Sequence, residues 1–362
     1  MAAQEMPAEG GEQRSTRGRG TGLQPANRFE SLHWEPDPES DLDPAEERPR
    51  TTQYLKDLSV SVVSRNESPD IPFRVSLNPY RGCEHGCAYC YARPTHEYLG
   101  FTAGLDFESR ILVKERAPEL LRAEMSATSW EPQWLALSGV TDAYQPIERR
   151  LRLTRRCLGV LAEFRNPVGI VTKNALVARD ADHLSELARH GASSVAISIT
   201  TLDPALRRVM EPRTSPVAAR LEAIRELVRA GVPVGVMVAP VIPAINDHEI
   251  PAILAAAKEA GAIWAAYVML RLPHAVKDVF ADWLERNFPD RKEKVLHQIQ
   301  AVRGGRLNDP SFGTRMRGEG RFAEQTAQLF HAARRRAGLE ERGPRLSASA
   351  FRRPGGVQLG LW

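Results

Sequence analysis

The sequence predicts an α/β fold, a partial (β/α)6 barrel with a helical C-terminal extension and a disordered N-terminal tail. Three observations lead there. Between Ile71 and Leu272, six short runs rich in β-branched residues alternate with amphipathic helical patterns, the mark of parallel strands joined by crossover helices. Three of the helical patterns stop at Gly191, Gly231 or Gly261 just before the next apolar run, as a left-handed C-cap requires. Six units are too few to close an eight-stranded TIM barrel, so one side stays open and would admit a large substrate.

Residues 1–50 are rich in Glu, Gly, Pro, Arg and Ser and cannot bury enough apolar surface to offset the entropy of ordering, so they are expected to be a disordered tail. Residues 51–70 form a lead-in to the core barrel, 71–273. Its strands are expected at Phe73–Leu77, Trp134–Ser138, Gly169–Lys173, Ser194–Ile199, Val234–Pro240 and Trp264–Leu270. Helices are expected at Ala117–Met125, Ile147–Phe164, Ala181–His190, Pro216–Ala230 and Pro251–Ala260. The second of these would place Leu151, Leu158 and Leu161 on one face and Arg149, Arg152 and Arg156 on another. Residues 274–340 read as a basic helical extension placed to cover the barrel's open side, and 341–362 as a tail that either packs back or hangs free.

Composition narrows the function little. The 362-residue chain carries 49 basic and 45 acidic residues, a net charge of +4, only a mild lean towards polyanions. The longest apolar run, Val232–Ile245, is too short to span a bilayer and contains three prolines, and the N-terminus lacks a signal-peptide pattern. A cytoplasmic protein with no membrane role is therefore expected. Four cysteines do not make a disulfide scaffold in a chain of this length, and three that cluster read as metal ligands in a reducing compartment.

Those three lie in NPYRGCEHGCAYCYARPTHEYLG, at Cys83, Cys87 and Cys90, just after the first expected strand and so at the end of a barrel where active sites lie. A cubane iron–sulfur cluster usually takes four thiolates, and with three it keeps one iron open for chemistry. Gly82 and Gly86 would let the backbone turn and approach the sulfides closely. A Cys3His zinc site with His85 or His96 is the alternative, and a redox pair at Cys87 and Cys90 would leave Cys83 idle.

The spacing C-x3-C-x2-C after the first strand, with the aromatic Tyr89 directly before the third cysteine, resembles the radical S-adenosylmethionine superfamily. The wider string is similar to the uncharacterised relatives of spore photoproduct lyase, the DNA-repair-photolyase-like subgroup, over about Thr51 to Leu339. The resemblance implies a [4Fe-4S] cluster on Cys83, Cys87 and Cys90, with S-adenosylmethionine chelating the fourth iron. It also implies a low-potential electron donor such as flavodoxin or ferredoxin, and a 5′-deoxyadenosyl radical that takes hydrogen from a substrate. Spore photoproduct lyase has a hydrogen-donating cysteine before the Ser-Asp that ends its second strand. The matching stretch here, Gly139-Val140-Thr141-Asp142, has none, which argues against thymine-dimer repair.

The other strand ends supply candidate cofactor contacts. Thr141 and Asp142 suit an ammonium group, or equally cap the turn into the next helix. Lys173 is placed to pair the methionyl carboxylate, and the resemblance puts Lys173 and Ser198 beside the cofactor. Asn174, Thr200, Glu211, Arg213, Asn246, Asp247 and Arg271 lie on the same loops. Tyr91, Tyr98 and Tyr144 are candidate hydrogen donors, whereas Cys157, among apolar residues at helical spacing, reads as a small buried hydrophobe. Arg149, Arg150, Arg152, Arg155 and Arg156 make a basic face that is either simply solvated or a phosphate-binding surface, so nucleic acid is a candidate partner. A non-catalytic zinc or iron–sulfur regulatory module is the competing class.

Overall fold

The computed structural model describes residues 18–30 and 51–354. Ten strands appear among them: β1 (Gln53–Lys56), β2 (Val63–Arg65), β3 (Val75–Leu77), β4 (Tyr80–Arg81), β5 (Arg110–Val113), β6 (Leu135–Leu137), β7 (Val168–Thr172), β8 (Ser193–Ser198), β9 (Val234–Val241) and β10 (Trp264–Met269). The main sheet runs β10-β9-β8-β7-β6-β3-β2 and is parallel except for β2, which pairs antiparallel with β3. All six expected strands are present. Their ends β2 and β10 do not pair, so the barrel is open. Every residue of β8 is buried, as a central parallel strand between helices and a filled interior should be. β2, three residues with a mostly exposed face, has no periodicity to betray it. A second small sheet, β1-β5-β4, lies beside the cysteine loop and was not foreseen from the sequence.

Crossover helices cover the sheet at Ala117–Ser126, Leu153–Phe164, Ala181–Ala188, Val217–Arg229 and Ile250–Glu259. Gly191, Gly231 and Gly261 follow the last three with φ of 62°, 78° and 102°, the left-handed stops expected from the sequence. The helix expected over Ile147–Phe164 is instead broken at Arg152 (φ 53°) into Glu148–Leu151 and Leu153–Phe164. The buried Glu148 carboxylate causes the break. It accepts from the backbone N–H groups of Thr154 (3.0 Å) and Arg155 (3.3 Å), so it caps a new first turn. Leu151 therefore leaves the face it would have shared with Leu158 and Leu161 and becomes exposed.

The helical extension does not close the open side with a helix face. Val276–Asn287 packs beneath the cysteine loop, where Phe280 and Trp283 join Cys87, Ala88 and Tyr89 in one apolar cluster. Gly320–Arg336 lies outside, against Ile250–Glu259. The gap between the sheet's edges is crossed by the loop of residues 302–319. Arg315 in it pairs with Asp70, just before β3, through Nε at 2.6 Å and a second, parallel bond. The tail packs back as far as Phe351, which meets Phe164, and Arg352, whose N–H donates to the Phe164 carbonyl. Of the stretch expected to be a disordered tail, residues 1–17 and 31–50 lie outside the described residues. Residues 18–30 depart from that expectation: Thr21 and Asn27 are buried against the core. No helix among the described residues is long and apolar enough to cross a membrane.

Candidate functional site

Because β3 and β6 to β10 are parallel, their C-terminal ends lie at one end of the sheet, and the loop from Gly82 to Ala92 folds over it. The loop turns at Gly82 (φ 77°) and Gly86 (φ 64°). A Cβ on Gly82 would lie 2.9 Å from the His96 ring, and one on Gly86 2.5 Å from the Glu108 carboxylate. Both glycines thus seat the loop on protein behind it, a role not foreseen from the sequence.

Cys83 and Cys87 are buried, Cys90 is half-buried, and all three are free thiols. Burial pushes each thiol up, and the charges of Asp142 at Cys83 and Glu211 at Cys87 add to it. Arg93 at Cys90, and Lys173 at both Cys87 and Cys90, act the other way. Among the described residues no three His, Cys, Asp or Glu side chains converge where a single metal ion would sit. Zinc needs its ligands within about 2.3 Å of one centre, whereas a cubane takes each thiolate on a separate iron. Three thiols on one loop are donors that a cubane can take one per iron. The two candidate zinc histidines are engaged elsewhere. His85 lies 3.3 Å from both the Asp142 carboxylate and the Asn174 amide. His96 Nε2 sits 2.9 Å from the Arg110 carbonyl, between the Phe101 and Phe107 rings, and burial pushes its pKa down to about 4.

Asp142 ties three pieces together. Its Oδ1 accepts from the Tyr144 N–H and the Thr172 hydroxyl, each at 2.8 Å, and its Oδ2 accepts from the Lys173 N–H at 2.8 Å and faces His85. Burial alone would raise its pKa; His85 and the two N–H groups bring it down to about 2. The turn-forming role that the sequence offered as the plain reading is present. Thr141 donates to the Gly82 carbonyl at 2.6 Å, and Gln145 bonds to the same carbonyl, to Thr141 and to the Glu84 N–H. Both residues flanking Cys83 are thereby pinned from the loop after β6.

The Lys173 ammonium stands 5.7 Å from the centroid of the Tyr89 ring, and among the described residues no carboxylate pairs with it. Tyr89 is buried and donates its hydroxyl proton to Glu211. Burial opposes the Glu211 charge, but Arg220, Lys173 and the hydroxyls of Thr200 and Tyr89 hold its pKa at about 2. Ser198 is buried at the end of β8, where its carbonyl accepts from Arg220 at 2.9 Å. Arg271, after β10, lies over the Tyr91 ring at 5.6 Å, so Tyr91 is beside the strand ends.

Arg213 lies against the outer side of the cysteine loop: its N–H donates to the His85 carbonyl, and its guanidinium pairs with Glu84 at 3.5 Å and donates to the Gly18 carbonyl and Thr52. Other candidates are not brought here. Asn246 braces backbone carbonyls at Thr200 and Pro240, and Asp247 opens a short helix. Tyr144 is buried in the core on Asp180, Tyr98 is exposed against Phe29, and Cys157 is fully buried as expected. In the basic face, Arg155 pairs with Asp180 and Asp182, and Arg156 with Glu119. Sequence reasoning missed Gln145 and the buried Arg93–Glu108 pair, whose partners lie too far along the chain for local pattern to link them.

The model of the radical SAM superfamily matches residues 77–257. An uncharacterized protein of Mycobacterium tuberculosis is 38% identical over 68% of this chain and 72% of its own length. Spore photoproduct lyase of Bacillus subtilis is 31% identical over 44% of this chain and 43% of that protein. A solved spore photoproduct lyase complexed with dinucleoside spore photoproduct superposes with a TM-score of 0.56, covering 79% of this chain and 80% of that one. At 17% identity this likeness is one of fold.

Proposed function

The chain belongs to the radical SAM superfamily and is an enzyme of that type, and we propose that Cys83, Cys87 and Cys90 hold a [4Fe-4S] cluster whose open iron receives S-adenosylmethionine. When bound, these groups supply a 5′-deoxyadenosyl radical that takes a hydrogen atom from a substrate, using an electron from a donor such as flavodoxin or ferredoxin. The observation that carries the reading is Lys173. A half-buried ammonium in no ion pair among the described residues, held beside the cysteine loop at a strand end, is a receptor for an anion. It pairs the methionyl carboxylate, and the Tyr89 ring, fixed by Glu211, walls the same space. Ser198 lines the ribose side. Asp142 and Thr141, whose oxygens already bond protein, act through the loop: they hold Lys173 and Gly82 in place rather than standing open to the ammonium group.

Anaerobic reconstitution should give about four irons per chain, and reduction with S-adenosylmethionine should release 5′-deoxyadenosine. Cys83→Ala, Cys87→Ala and Cys90→Ala should each lose both. A protein that takes up zinc but no iron, or holds a cluster and leaves S-adenosylmethionine intact, would support the regulatory-module class instead. The substrate is a separate question. Salt-dependent retention on DNA would favour nucleic acid, and its absence at low salt would point to a small molecule or a protein.

A further inference from the structure

We infer that residues 18–30 form a strap that clamps the cysteine loop from outside, with Gly20 as its positioning residue. The consequence for cluster retention rests on the cluster assignment above; the clamp itself does not. Gly20 lies directly on the loop backbone between Cys83 and Cys87. A Cβ there would sit 1.8 Å from the Gly86 carbonyl oxygen, so only glycine allows the approach. The Gly20 N–H donates to Glu108 Oε2 at 2.9 Å. The other oxygen of that carboxylate accepts from Arg93, and Arg93 donates through Nε (3.1 Å) and Nη2 (2.9 Å) to the Cys87 carbonyl. Strap, carboxylate, guanidinium and cysteine loop are thus one buried network, in which each charge has its partner.

Anchors on both sides hold the strap down. Arg19 donates to the Glu108 carbonyl, Arg213 to the Gly18 carbonyl and Arg286 to the Gly20 carbonyl. The Leu23 carbonyl accepts from the Leu105 N–H at 2.9 Å, and a Cβ on Gly104 would meet that same oxygen at 2.0 Å. Asn27 donates to the carbonyls of Glu97 and Phe101, and Arg28 pairs with Glu97. These are backbone and polar contacts, which is why a composition poor in apolar residues still orders here. Loosening the strap frees the Gly86 and Cys87 peptides, the spacing segment between two of the three thiols.

Hydrogen exchange of the metal-free full-length protein tests the clamp directly. In the unsubstituted protein the amides of Gly20 and Leu105 should be protected, and Gly20→Ala should speed exchange across residues 82–92 about tenfold or more. Arg28→Ala, a milder cut at the far end of the strap, should do the same to a smaller degree, and it covers the case in which Gly20→Ala fails to fold. In reconstituted protein, Gly20→Ala should also speed iron loss to a chelator and alter the electron paramagnetic resonance signal of the reduced cluster. Unprotected amides over 18–30, or unchanged exchange over 82–92 in folded variants, would overturn the clamp. Failure to take up iron would overturn the cluster assignment and leave the exchange result to decide the clamp.

Discussion

Lys173 is a cation in a half-buried site with an aromatic face beside it, near the Glu211 carboxylate but, among the described residues, in no ion pair. Lys173→Met keeps the stem and removes the charge. A charge-assisted hydrogen bond contributes about 1.5–3 kcal/mol, so the dissociation constant for S-adenosylmethionine should rise about 10–100-fold by calorimetry while iron content stays unchanged. His96 gives a pH prediction for the metal-free protein. Its native pKa of about 4 lies below the ordinary 6.5, so the unfolded chain takes up a proton that the fold refuses. Stability should be unaffected by this group above about pH 6.5 and fall as pH drops towards 4, by about 3 kcal/mol at most. Urea midpoints measured against pH check this, and His96→Gln, which keeps a donor for the Arg110 carbonyl, should flatten that limb. The three thiols and Lys173 stand out in the sequence by spacing and strand-end position, and Tyr89 only through the family resemblance. The bracing set of Gln145, His85, Arg93 and Glu108 could not, because each bonds to a partner that only the fold brings near.

At the scale of elements, the strands were legible as short β-branched runs, three of them preceded by glycine stops, and the break at Arg152 was not. Its cause is a carboxylate four residues back that caps the next helix, and no periodicity records that. Glycine inside strands carries another message. Gly235 in β9 faces Trp264 of β10 across the register, and a Cβ there would lie 2.1 Å from the indole. Gly169 in β7 accommodates Trp134 in the same way, at 2.4 Å. These glycines leave the space that the neighbouring tryptophan rings occupy. Gly235→Ala should therefore cost about 1–3 kcal/mol in urea unfolding, the usual penalty of overpacking. An unchanged midpoint would mean that the ring can move aside.

For the whole molecule, the open barrel has a seam, and the Asp70–Arg315 pair is a contact that spans it. The Arg315 guanidinium holds the Asp70 carboxyl below the usual carboxylate range. Asp70→Asn should leave the sheet intact but speed limited proteolysis within residues 302–319; equal cleavage rates would show that the seam is held by other contacts. The openness of the barrel was readable from the number of units, while its closure by a loop was not, since a bidentate pair 245 residues apart leaves no local trace. The opposite rim is finished differently. The outer edge of β10 is not bare: the Glu340 N–H donates to the Ile263 carbonyl, and the Glu340 carbonyl accepts from Ala265. The returning chain thus occupies part of the ladder where a neighbouring copy would dock. An unclosed sheet would otherwise invite strand-by-strand aggregation, and here the chain blunts that hazard with its own C-terminal segment.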